Sequence, residues 1–263
     1  MTGSEIAIIG SKKLLSTMKE KFTSAVIERW TRFRAEKFFE AFVEVLSEEM
    51  KDGIESPDVD KALETLLKDE VKSEVLYDAY RRVCFSTSKT IGPKVIGLLT
   101  GYLVFEGRMA SEGEERAFQA AESLSDGELM EFFKSYYKYS KEAKGSTDKK
   151  RIHSEYSEII IPWNEETRDS AWPSSMEQQI EVSPLDLNIA LGYWAVKLQD
   201  CGMMSTRMTE RSVEYKEDSD RNIDMDGVLT IYASTIIFHS SCVELFNLVE
   251  RSLGAVEAAE SNL

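Results

Sequence analysis

Asn222, Asp224 and Asp226 alternate along the chain and are followed at once by Gly227. This order matches the first half of a calcium loop, in which alternating oxygen ligands face one cation and a glycine makes the sharp turn. Such a loop is closed by a bidentate glutamate at its twelfth position, and this chain has Ala233 there. An open loop holds a cation weakly, so the plainer reading is a solvated hairpin tip and no metal site is expected. Histidine chemistry is limited by number, with only His153 in a polar stretch and His239 beside Ile236, Ile237 and Phe238. No His-Glu-x-x-His or paired-cysteine spacing occurs, which argues against zinc. Cys84, Cys201 and Cys242 are far apart, so they give neither a disulfide framework nor a ligand set. Cys84 and Cys201 fall near the C-terminal ends of helical stretches, where a thiol is not activated; they are expected to be structural. There is no Gly-x-Ser-x-Gly elbow, phosphate loop or dinucleotide fingerprint. Glu48-Glu49 and Glu165-Glu166 do acid–base work only when buried beside a pocket. No catalytic residue and no cofactor are assigned. An enzyme or ligand binder assembled from dispersed residues stays as an alternative.

The strongest functional signal is electrical. Between Lys12 and Lys37 the chain carries Lys12, Lys13, Lys19, Lys21, Arg29, Arg32, Arg34 and Lys37 against Glu20, Glu28 and Glu36, a net of +5. Trp30 and Phe33 lie in the same stretch. A basic amphipathic helix docks on a protein partner or lies on an anionic membrane, and it is also what the wet face of a core helix looks like. It also suits neutralisation of an acidic region in the same or another chain. The candidate interface residues are therefore Phe22, Arg29, Trp30, Phe33 and Arg34, with Trp194 in the core or contact face of a second module.

These residues need elements to position them. The chain has 263 residues and is 42% hydrophobic, with 12 Phe, 10 Tyr and 4 Trp, so it can build a sizeable core as one large domain or two modest ones. No apolar run approaches the roughly 20 residues of a membrane-spanning helix. Ser11 to Lys51 contains no Gly or Pro, and Leu15, Met18, Phe22, Val26, Trp30, Phe33, Phe39, Phe42, Leu46 and Met50 recur at helical spacing. A helix of this length spans about 60 Å, so a kink or a partner helix is expected, with Gly53 as the stop. Ser56-Pro57-Asp58 starts a short helix to Leu67. Further helices are predicted over Val71–Phe85, Ile91–Gly107 and Ser111–Leu124. The Ser125/Glu128 capping box opens another, through Tyr139. Lys144 to Lys150 is polar and reads as a linker. Ile159 to Ile161 reads as a strand ended by Pro162. Ser183-Pro184-Leu185-Asp186 starts a helix that ends at Gly202. Met203 to Met208 is extended, Asp226-Gly227 turns a hairpin, Val228 to Tyr232 returns as a strand, and Thr235 to Leu253 closes as a helix.

Helix, Gly202, acidic hairpin, Leu229-Thr230 and the aromatic Phe238 together resemble a winged-helix module over roughly residues 183–250. In that fold a helix ends at a glycine, a two-stranded wing turns back, and a Leu-Thr pair opens the next helix. A helical front half with such a module is similar in outline to the Abi-alpha family of bacterial proteins linked to abortive phage infection. The chain as a whole reads as mainly α: an N-terminal helical bundle with a long first helix (1–145), a linker and connecting segment (146–182), and a small α+β module with a closing helix (183–263). The resemblance implies that this module is winged-helix-like, and it implies a link to phage defence or mobile elements.

A winged helix raises DNA binding as an alternative, with Lys197, Arg207, Arg211 and Arg221 as its candidates. The charge opposes it. The chain carries −15 overall, and by segment the net is −3 over 1–150, −5 over 151–182 and −7 over 183–263. Nucleic-acid binders need a positive stripe to displace counterions. The helix that would enter the groove has Lys197 as its only base, with Asn188 and Gln199 as the only amides for base edges. The opening Met-Thr-Gly-Ser-Glu lacks the features of a secretory signal, and the thiols are unpaired, so a reducing cytoplasm is expected. The reading is a cytoplasmic, acidic, non-enzymatic interaction or regulatory protein that forms a homo-oligomer. Nucleic-acid and membrane partners are disfavoured and no small-molecule substrate is implied.

Overall fold

A computed structural model describes residues 32–49, 66, 68–144, 146, 152–155, 157–169, 185–217 and 225–260. They form eight helices and one four-stranded antiparallel sheet, and no described helix is long and apolar enough to cross a membrane. The chain divides into two compact units: residues up to Ser135 together with Ser241 onward, and Tyr136 to Ser240.

The first unit is built around one helix. α1 is Arg32–Glu49, α2 is Glu70–Phe85, α3 is Ile91–Glu106, α4 is Glu112–Ser123 and α5 is Asp126–Ala143. α3 has the sequence IGPKVIGLLTGYLVFE, apolar on every side, and 13 of its 16 residues are buried. A helix without a polar face belongs at the centre of a bundle, and α3 packs against α1, α2, α4 and the last helix. Two glycines one turn apart let α1 come close. A Cβ at Gly97 would collide with the Phe38 carbonyl oxygen, and one at Gly101 would stand 2.7 Å from Val45 Cβ. α1 fills the seam with Phe38, Phe39 and Phe42, whose rings pack edge-on (4.9 Å, Phe38 with Phe39) and stacked (6.0 Å, Phe38 with Phe42).

The start of α3 is capped from a distance. Thr90 offers no side-chain cap. Instead Asp126, the first residue of α5, accepts the N–H groups of Lys89 (3.1 Å), Thr90 (3.2 Å) and Ile91 (2.8 Å). Asp126 also accepts the Ser88 hydroxyl, whose oxygen in turn accepts the Gly92 N–H at 2.7 Å. Burial raises the Asp126 pKa, but the Ser88 hydroxyl and these N–H groups outweigh it and hold the carboxyl below its ordinary range. One carboxylate thus sits at the positive ends of two helices. α4 and α5 start with the capping boxes Ser111/Glu114 and Ser125/Glu128.

The second unit holds β1 (His153–Glu155), β2 (Glu158–Asp169), α6 (Leu187–Ala190), α7 (Tyr193–Asp200), β3 (Met204–Glu217) and β4 (Met225–Phe238). The sheet order is β1-β2-β4-β3. Its core gathers on Phe238, whose ring meets Tyr136 at 5.7 Å, Tyr139 at 5.9 Å and Trp194 at 6.3 Å. α8, Ser241–Glu260, returns to the first unit and buries Cys242, Leu245, Leu248 and Val249 against α3 and α4.

Several expectations change. The strand expected at Ile159 to Ile161, in the connecting segment 146–182, is the start of the longer β2, and β1 precedes it; Ile159 and Ile161 are buried. β2 runs past Pro162: the register shifts between Pro162 and Asn164, and among the described residues β1 pairs only up to Ile160. Proline is tolerated at such a bulge, where the ladder is already interrupted. The single helix expected before Gly202 is two, because Gly192 takes φ +109°, outside helical space. Asp226-Gly227 is not the hairpin turn; both residues lie in β4, paired with Lys216 and Tyr215. Leu229 and Thr230 also lie in β4, opposite Val213 and Ser212, and open no helix. Thr235 to Phe238 is strand as well, held by β2 on one side and β3 on the other. A β-branched segment paired on both edges is stabler than one turn of helix. The closing helix starts later, at Ser241, and belongs with the helices of the first unit. Residues 1–31 and 50–65, which carry most of the expected long first helix and the Ser56-Pro57 start, lie outside the described residues.

Candidate functional site

The chemistry that α1, α3 and α8 bring together is a charged cavity of about 130 Å³ in the first unit. α1 contributes Lys37, Glu40, Ala41 and Glu44; α3 contributes Lys94 and Leu98; α8 contributes Arg251 and Ser252. Spacings of three and four along α1 put Lys37, Glu40 and Glu44 on one face. Lys37 Nζ donates to Glu40 Oε2 at 2.8 Å. Arg251 donates to Glu44 Oε1 from Nε (3.3 Å) and Nη2 (3.2 Å), and also to Glu48 and the Tyr102 hydroxyl. Its guanidinium lies 5.6 Å from the Tyr102 ring centre. Lys94 differs from both. It is 8% exposed, and no hydrogen bond or ion pair reaches its ammonium among the described residues. Burial pushes its amine below the ordinary 10.5; Lys37 pushes the same way, and Glu40 and Glu44 oppose.

A second hollow, of about 410 Å³, lies along α2 and α4. Its floor is apolar, with Val75, Ala79, Leu103 and Phe118, and Asp78, Arg81 and Glu115 stand at its edge. Arg82 lies over the Phe118 ring at 5.3 Å and donates to Asp78 (2.9 Å) and to Glu115.

The predicted site residues are scattered. Phe22, Arg29 and Trp30 lie outside the described residues. Phe33, at the start of α1, is 52% exposed. Arg34 is turned inward, where its Nε donates to the Ser88 carbonyl at 3.0 Å. Trp194 is 2% exposed and stacked on Phe238, so it is a core residue and not a contact face. Lys197 rests over the Tyr193 ring at 5.4 Å. Arg207 is exposed on β3, and the Arg211 backbone pairs with Ile231. Arg221, Asn222 and Asp224 lie outside the described residues, and Asp226 is a strand residue. His239 Nδ1 and Glu158 Oε1 are 2.7 Å apart and join the turn after β4 to β2. Cys84 is half-buried; burial raises its pKa against the pull of Tyr80 and Arg34, so it is a weak nucleophile. Burial and Cys84 push Tyr80 up to about 12.

Sequence reasoning missed Lys94 and Arg251. Each left a trace: Lys94 is the only charged residue between Thr90 and Glu106, and Arg251 is the only Lys or Arg after Arg221. No protein-family model matches the chain, and no curated protein or solved structure does either.

Proposed function

We propose that this chain is a non-enzymatic interaction or regulatory component of the cytoplasm that self-associates through a long first helix, of which α1 is the inner part. One observation carries the reading. Phe33 and Phe85 stand 52% and 74% exposed, at the end of the α1–α2 pair where Arg34 reaches the carbonyl of Ser88. Arg29 and Trp30 come just before Phe33 in the chain. Aromatic and arginine side chains are the residue types that dominate binding energy in protein interfaces. The +5 stretch from Lys12 to Lys37 is complementary to a chain whose net charge is −15. We read α7, β3 and β4 as winged-helix-like, in keeping with the resemblance to Abi-alpha proteins and with a role in phage defence or on mobile elements. The left-handed Gly202 after α7 and the long β3–β4 hairpin support this; the strand position of Leu229-Thr230 and the place of α8 in the first unit count against it.

Light scattering on the size-separated full chain tests the association. The wild type is expected as a dimer or larger, and Trp30→Ala with Phe33→Ala as a monomer of unchanged circular dichroism. Two lost anchors at about 2 kcal/mol each weaken association roughly a thousandfold. A monomeric wild type, or an oligomer indifferent to these changes and to Phe85→Ala, would overturn the reading.

A further inference from the structure

We infer that the cavity between α1, α3 and α8 is a binding site for a small aliphatic monocarboxylate, held by the ammonium of Lys94. Of the three cations that line it, two are already answered: Lys37 by Glu40, and Arg251 by Glu44 and Glu48. Among the described residues Lys94 is not, although 8% exposure places it inside the first unit. The stem of Lys94 is buried while its ammonium is not among the fully buried polar atoms, so the charge is open to an anion that enters the cavity. Lys37 and Arg251 each hold carboxylates of their own, so the one position where an incoming anion meets a cation not yet paired is Lys94. A carboxylate supplies one negative charge; a phosphate dianion brings two and meets the repulsion of both glutamates. Ala41 and Leu98 give the wall an apolar side for a short alkyl chain. At about 130 Å³ the space takes several waters, hence a carboxylate of about four to six heavy atoms. The depressed basicity of the Lys94 amine fits a cation that lacks its partner. The site is independent of self-association.

Isothermal titration calorimetry on the full chain, at fixed ionic strength, with propionate, butyrate and inorganic phosphate as probes, tests this. Propionate or butyrate is expected to bind at one saturable site. Lys94→Met weakens it at least tenfold, and phosphate binds at least tenfold more weakly. Acetic anhydride labelling of the wild type, read by peptide mass spectrometry, gives a check that needs no variant: propionate shields Lys94 and leaves the exposed Lys68 and Lys89 unchanged. No saturable carboxylate binding, equal binding by Lys94→Met, phosphate as the tighter ligand, or unshielded Lys94 would each overturn the inference.

Discussion

Arg108 and Glu114 form the best-defined ion pair of the first unit. Arg108 Nη1 and Nη2 reach the two carboxylate oxygens at 2.7 and 2.6 Å, and Glu114 also accepts the Ser111 N–H at 2.7 Å. These bonds hold the Glu114 carboxyl down at about 2, with the Arg108 bonds contributing most, burial opposing and Ser111 adding. The folded value lies below the unfolded one, so the stabilisation is complete above about pH 4.5 and is lost as the pH falls toward 2. Because Arg108 is open to solvent, we place the contribution at no more than about 1 kcal/mol. Urea unfolding of the wild type is therefore expected to weaken between pH 4.5 and 2, and Glu114→Gln to flatten that dependence. A variant with the wild-type slope would refute the assignment. Glu244 shows the opposite case: burial raises its pKa, Glu114 adds to the rise and Arg108 opposes it.

At the scale of elements, the decisive feature is how closely α1 approaches α3. Gly97 faces the Phe38 backbone, which cannot move aside as a side chain would. Gly97→Ala gains roughly 1 kcal/mol of helix propensity but forces the helices apart at about 1–3 kcal/mol. A net loss of up to about 2 kcal/mol is expected, because the Phe38 backbone cannot give way, and it lowers Tm by up to several degrees. A Cβ added at Gly254 in α8 would meet nothing within 4 Å, so Gly254→Ala is expected to raise Tm slightly. Differential scanning calorimetry of the two variants separates the explanations: if both move the same way, propensity rules and the close approach is irrelevant.

At the scale of the whole molecule, the charge is unevenly spread, with a basic stretch from Lys12 to Lys37 in a chain of net −15. If oppositely charged regions of two copies meet, salt screens them, since the Debye length falls from about 10 Å at 0.1 M to about 3 Å at 1 M. The mass measured by light scattering is expected to fall when sodium chloride is raised from about 0.05 to about 0.5 M. A mass independent of salt would leave aromatic burial as the sole driving force. Phe33→Ala in low salt then distinguishes the two contributions.

The elements written plainly in the chain are those whose signals are local. Asp69 and Ser111 cap α2 and α4, the Ser125/Glu128 box opens α5, and Gly107 and Gly202 stop α3 and α7 in the left-handed region. Each of these depends on neighbours a few residues apart, which is why they are legible in one dimension. The rest was settled by folding. Thr235 to Phe238 has helical spacing, yet pairing with two strands makes it β4. Trp194 carries no mark of core or surface until Phe238 stacks on it. Lys94 is an ordinary lysine of an apolar helix until Arg251, 157 residues further on, and Lys37 are packed around the same cavity. Burial and long-range pairing are properties of the folded chain, and the chemistry of the site depends on both.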